Sequence, residues 1–139
     1  MKIRCLFESH SDLPESSDAR RYFPNSILHI TKGKEYVVYG VLGVRLLPTS
    51  NIEHEYIILN DLDSFISYDV GLFEIVDSNL GDCQWHCGFG TKHVEFLLAS
   101  KDFVNDISHY EGMWDREEAD MEKFRRWAET VDTAHKTID

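Results

Sequence analysis

The chain has 139 residues, 42% hydrophobic and 12% aromatic, with 14 lysines and arginines against 25 aspartates and glutamates, for a net charge of −11. One domain is the expectation at this length, and such a domain buries roughly 68–70% of its unfolded surface, so no disulfide or metal is needed to hold a core. The composition excludes a disordered chain, and the sign of the charge argues against a nucleic-acid or anionic-membrane binder.

In chain order, Ile3, Cys5 and Phe7 alternate on one face, the period of a half-buried strand over residues 2–8. Ser9 to Pro24 reads as a loop with at most one helical turn, and Ser26 to Thr31 as a short strand ended by Lys32-Gly33. Glu35 to Arg45 is the clearest strand, with Gly40 and Gly43 inside it signalling a bulge or sharp bend. Pro48 to Asn51 turns the chain into a second strand, Glu53 to Leu59, predicting a hairpin. Asn60 to Ser64 is another turn, followed by short strands at Phe65 to Tyr68 and Leu72 to Val76. After a turn at Asn79 to Asp82, strands at Cys83 to Cys87 and His93 to Leu98 flank Gly88-Phe-Gly-Thr-Lys92, a last predicted hairpin. The period then lengthens to about 3.6. Ser100 is placed to cap a helix carrying Phe103, Ile107 and Tyr110 and ended by Gly112. Asp115 and Glu118 form a capping-box pattern before a second helix with Met121, Phe124, Trp127 or Ala128, and Val131 on one face.

Strands in a run followed by helices in a run predict an α+β domain. The expected architecture is a strongly bent antiparallel sheet or small open barrel of six or seven short strands, with two C-terminal helices packed on it. A single domain is expected over 1–139, strand-rich over 1–99, helical over 100–134 and frayed over 135–139. No apolar run approaches the ~18 residues of a bilayer span. The opening MKIRCLFESH does not read as a signal peptide, and three cysteines (Cys5, Cys83, Cys87) give no disulfide framework. A cytoplasmic, reduced protein is expected.

The negative charge is concentrated. Between Arg45 and Lys92 lie eight acids (Glu53, Glu55, Asp61, Asp63, Asp69, Glu74, Asp77, Asp82) and no lysine or arginine, while the rest of the chain sums to only −3. A folded surface of this kind attracts cationic partners and speeds their encounter. Tyr56, Tyr68 and Phe89 fall at strand spacing among these carboxylates, where outward aromatics serve as interface anchors. The predicted partner-binding set is Glu53, Glu55, Tyr56, Asp61, Asp63, Tyr68, Asp69, Asp82 and Phe89.

Catalytic and metal patterns are weak. Cys83-x-x-His86-Cys87 with His93 offers zinc-type donors, but alternation along a strand puts His86 opposite the cysteines and no Cys-x-x-Cys knuckle is present. This cluster is the alternative expectation, a small zinc-binding or thiol-dependent enzyme; a generic protein-interaction module is the other. Asp61-x-Asp63 is not a calcium loop, since neither the glycine nor the twelfth-position acid is in place. No cofactor and no enzymatic activity are expected.

The runs Gly33-Lys-Glu-Tyr-Val-Val-Tyr-Gly-Val41, Tyr56-Ile-Ile-Leu-Asn-Asp61 and Leu72-Phe-Glu-Ile-Val-Asp77 resemble bacterial immunity proteins of contact-dependent inhibition and other polymorphic toxin systems. The resemblance covers roughly the middle half of the chain. It implies a small cytoplasmic antidote that acts by binding a cognate toxin domain, often a basic nuclease, and it implies no catalytic residue.

Overall fold

A computed structural model of the protein describes residues 1–45, 50–89 and 94–138. Its elements run β1 (Lys2–Cys5), α1 (Asp18–Tyr22), β2 (Glu35–Val37), β3 (Gly40–Val44), β4 (Glu53–Leu59), β5 (Phe65–Asp69), β6 (Phe73–Asp77), β7 (His86–Phe89), β8 (Val94–Ala99), α2 (Lys101–Asn105), α3 (Ile107–Trp114) and α4 (Glu118–Ile138). The class is α+β, as expected. The sheet is not single and not a barrel: all pairings are antiparallel, in a three-stranded sheet of order β2-β1-β6 and a five-stranded sheet of order β5-β4-β3-β8-β7.

The division arises inside the run read as one long strand. Residues 35–37 pair with β1, and residues 40–44 pair with β4 and β8, so the chain leaves one sheet for the other at Val38-Tyr39. Side-chain alternation continues through the switch, with Val38 packing in one core and Tyr39 in the other. Only the hydrogen-bond partners change: Val38 N donates to Met1 O and Tyr39 N to Ile57 O. The Tyr39 carbonyl is capped by the Trp127 indole N–H at 2.7 Å, and its hydroxyl donates to Asp132 at 2.8 Å. Helix α4 therefore clamps the crossover. The expected irregularity near the glycines is present as a register shift at Gly43/Val44, where a Cβ on Gly43 would collide with the Phe96 ring.

The five-stranded sheet is buried on both faces. Ile57 turns toward the helices with Leu42, Leu97, Phe103, Phe124, Trp127 and Val131; its neighbour Ile58 turns toward the small sheet with Ile3, Tyr36, Leu72 and Phe73. Phe73 sits at the centre of edge-on contacts with Tyr36, Tyr56 and Tyr68, which join the two sheets. Each fully buried large apolar side chain contributes about 1.5–3 kcal/mol.

Three expectations are corrected. Ser26 to Thr31 is not a strand: His29 takes φ +57, outside extended geometry, and its carbonyl receives Asp61 N at 2.9 Å. The helical part contains three helices instead of two. Asp106 breaks the first and caps the second, accepting from Ser108 N at 3.0 Å, and Gly112 lies within α3, where a side chain would strike the Asp120 carboxylate of α4. Finally, α4 runs to Ile138 with Ala134 and His135 buried, past the point where fraying was expected. Residues 46–49 of the predicted Pro48 turn and residues 90–93 of the last hairpin fall outside the described residues; β3 and β4 pair as expected, but the last hairpin is shifted, with Cys83–Trp85 outside any strand and Gly88-Phe89, read as turn, forming the end of β7 against β8.

Candidate functional site

Folding divides the eight central acids among different tasks. Glu74 receives Arg4 at 2.9 Å on the outer face of the small sheet, where Arg4 also bridges to Glu35 at 3.1 Å. Asp61 accepts from Lys34 Nζ at 2.7 Å, Thr31 Oγ1 at 2.6 Å and Tyr36 Oη at 2.8 Å, and these donors, Lys34 foremost, hold its carboxyl down at about 2. Asp77 accepts from Asn79 N at 2.9 Å and closes a local turn. Asp63, at φ +56, and Asp82 are exposed but lie apart, the first bordering Phe65 and Arg125, the second bordering Arg126 and Thr130 of α4.

Glu53, Glu55 and Asp69 converge. Glu53 and Glu55 are two residues apart on β4 and so share a face, and Asp69 on the edge strand β5 is the direct cross-strand partner of Glu55. All three line a cavity of about 370 Å³ between the β4–β5 edge and the α1 region. Each is oriented by one donor: Asp18 N to Glu53 Oε1 at 3.1 Å, Ser67 Oγ to Glu55 Oε1 at 2.8 Å, and Gly71 N to Asp69 Oδ1 at 2.8 Å. Burial pushes the Glu55 carboxyl above the ordinary carboxylate value, against the Ser67 hydrogen bond, and the charges of Asp69 and Glu53 add to the rise. Like charges directly opposite across strands are unfavourable, so this corner of the sheet is electrostatically strained.

A fourth carboxylate joins from another element. Asp18 opens α1 behind the N-cap Ser17, lines the same cavity and is only 6% exposed. Its Oδ2 is the single buried side-chain nitrogen or oxygen without a hydrogen-bond partner among the described residues. Among the described residues none of Asp18, Glu53, Glu55 and Asp69 forms an ion pair, although Arg116 stands on the rim. The mouth is apolar: Phe23 is 50% exposed, Leu62 60% and Ile27 81%.

The predicted aromatics take other positions. Tyr68 is buried, donates its hydroxyl to Leu28 O and receives Asn60 Nδ2 at 3.1 Å, so it forms a wall of the pocket and ties the 26–29 segment to β5. Tyr56 is half-buried against Phe73. Phe89 closes β7, on the edge strand opposite β5, and its side chain lies outside the described residues.

Cys83 precedes β7 with Sγ toward Leu80 O, Cys87 is exposed, and His93 lies outside the described residues. Among the described residues no three His, Cys, Asp or Glu side chains are grouped closely enough for a metal ion. No described helix is long and apolar enough to cross a membrane. Comparison with protein-family models, with curated proteins and with solved structures finds no match to this chain.

Asp18, Phe23, Ile27, Leu62 and Arg116 are among the pocket residues that sequence reasoning missed. Asp18 lies outside the acidic run, and an acid in a helix's first turn is ordinarily solvated. Chemically, the pocket is a carboxylate-lined recess with an apolar lip.

Proposed function

We propose that this chain is an immunity-type antidote that neutralises a cognate bacterial toxin domain in the cytoplasm by tight one-to-one binding, without catalysis. The observation that carries the reading is the pocket itself: four carboxylates from three elements, none ion-paired among the described residues, beneath exposed Phe23, Ile27 and Leu62. An acidic recess complements the cationic cleft of a nuclease-type toxin, and apolar residues around it slow release once docked. The net charge of −11 favours rapid capture, which an antidote needs because a single escaped toxin is harmful. The resemblance of Gly33–Val41, Tyr56–Asp61 and Leu72–Asp77 to immunity proteins points the same way.

The test uses the gene immediately upstream in the source genome. The C-terminal domain of its product is expressed alone and together with this chain, scoring survival and co-purification. Toxicity relieved by a stable one-to-one complex is the expected result. A toxic domain that this chain neither rescues nor binds would overturn the reading.

A further inference from the structure

Two independent observations point to the pocket as a cation-binding site. The first is the cross-strand set Glu53, Glu55 and Asp69, each with one oxygen held by an internal donor and none ion-paired among the described residues. The second is Asp18, which comes from α1, is almost wholly buried, and keeps an Oδ2 that nothing satisfies. Leaving a buried polar atom unpaired is unfavourable, and more so when it is charged. A ligand that donates to this oxygen removes that cost.

We infer that the pocket seats the guanidinium of an arginine presented by a partner protein, with Asp18, Glu53, Glu55 and Asp69 as acceptors. Several alternatives fit less well. A metal ion needs its ligands around one point at about 2.0–2.6 Å, a grouping not found among the described residues. A lysine ammonium is a compact, strongly hydrated point charge, whereas guanidinium is a planar fork of five donors that reaches several carboxylates at once and sheds water more readily. A free guanidine would reach the carboxylates but leave Ile27 and Leu62 bare at the mouth; an arginine within a polypeptide brings neighbours to cover them. The inference rests on the antidote reading only for which protein supplies the arginine.

The test is a ¹⁵N NMR titration at constant ionic strength, using methylguanidinium, methylammonium and the capped tripeptide acetyl-Leu-Arg-Phe-amide. Methylguanidinium is expected to shift the amides of Asp18, Glu53, Glu55 and Asp69 and to leave those of Asp82 and Asp102 unmoved. The tripeptide should bind about tenfold more tightly than methylguanidinium, and methylammonium about tenfold more weakly. Asp18→Asn and Glu55→Gln should each weaken the tripeptide about tenfold or more, as expected for loss of a charged hydrogen bond. Glu55→Gln serves if the Asp18→Asn variant does not fold.

Shifts spread evenly over every acidic residue, or no shifts, would overturn the proposal. So would variants that bind like the wild type. Equal affinity for methylguanidinium and the tripeptide would make the occupant a small guanidine and overturn the protein assignment. Pocket binding without toxin rescue would sink the antidote reading alone, and rescue without pocket binding would sink this inference alone.

Discussion

Two carboxylates six residues apart, Glu55 and Asp61, are pushed in opposite directions by their surroundings. Asp61 sits among the donors of Lys34, Thr31 and Tyr36, so its folded value of about 2 lies below its ordinary 3.8. A lowered value means that its contribution is complete above pH 3.8 and is lost as pH falls toward 2. Glu55 has the opposite sign: burial raises it above 4.5, so the fold holds its proton longer than the unfolded chain does, and stability declines as pH climbs through the window just above 4.5. Urea unfolding across pH 2–7 checks both. Asp61→Asn is predicted to flatten the acid-side loss, and Glu55→Gln to remove the decline above pH 4.5. Acid-side curves identical in wild type and Asp61→Asn would show that the Lys34 pair contributes nothing to acid stability.

At the scale of elements, the decisive feature is the crossover at Val38-Tyr39. Most strands were legible because alternation of apolar and polar residues marks them one by one, and the stripe Phe124, Trp127, Ala128, Val131 marked α4 equally well. The division into two sheets was not legible, because a strand can exchange partners without breaking its alternation. The spurious strand at Ser26 to Thr31 has a related cause: its composition suits extension, but the left-handed His29 and the bonds from Asp61 N and Tyr68 Oη settle its path through tertiary contacts. The helix break at Asp106 was missed because Phe103, Ile107 and Tyr110 keep helical spacing across it.

The crossover makes a direct prediction at this scale. Trp127→Phe keeps the aromatic body but strands the buried Tyr39 carbonyl, which should cost about 1–3 kcal/mol. Equilibrium urea denaturation measures it, and an unchanged midpoint would show that α4 does not clamp the switch.

For the whole molecule, the concentration of charge in the sequence was legible and its distribution in space was not. The run of eight acids suggested one continuous surface; the fold instead spends Glu74 on Arg4 and Asp61 on Lys34, and separates Asp63 from Asp82. Of the predicted set, Glu53, Glu55, Tyr68 and Asp69 meet at one cavity. The member that completes it, Asp18, is supplied by α1 from 35 residues before Glu53, a juxtaposition that only the tertiary fold creates. On the proposed reading a local pocket, not bulk acidity, is the source of affinity, while the net charge sets the rate of encounter and its sensitivity to salt.

Those two contributions separate in one experiment, survival of cells co-expressing the toxin domain with charge-matched triple variants. One variant carries Glu53→Gln, Glu55→Gln and Asp69→Asn; the other carries Asp102→Asn, Glu111→Gln and Glu129→Gln at exposed helix positions outside the pocket. Both change the net charge equally, and thermal melts establish that both fold. Loss of rescue by the pocket variant alone, with the helix variant protecting like the wild type, is the predicted result. Equal protection by both, or equal loss, would contradict the claim that the pocket is where this protein binds.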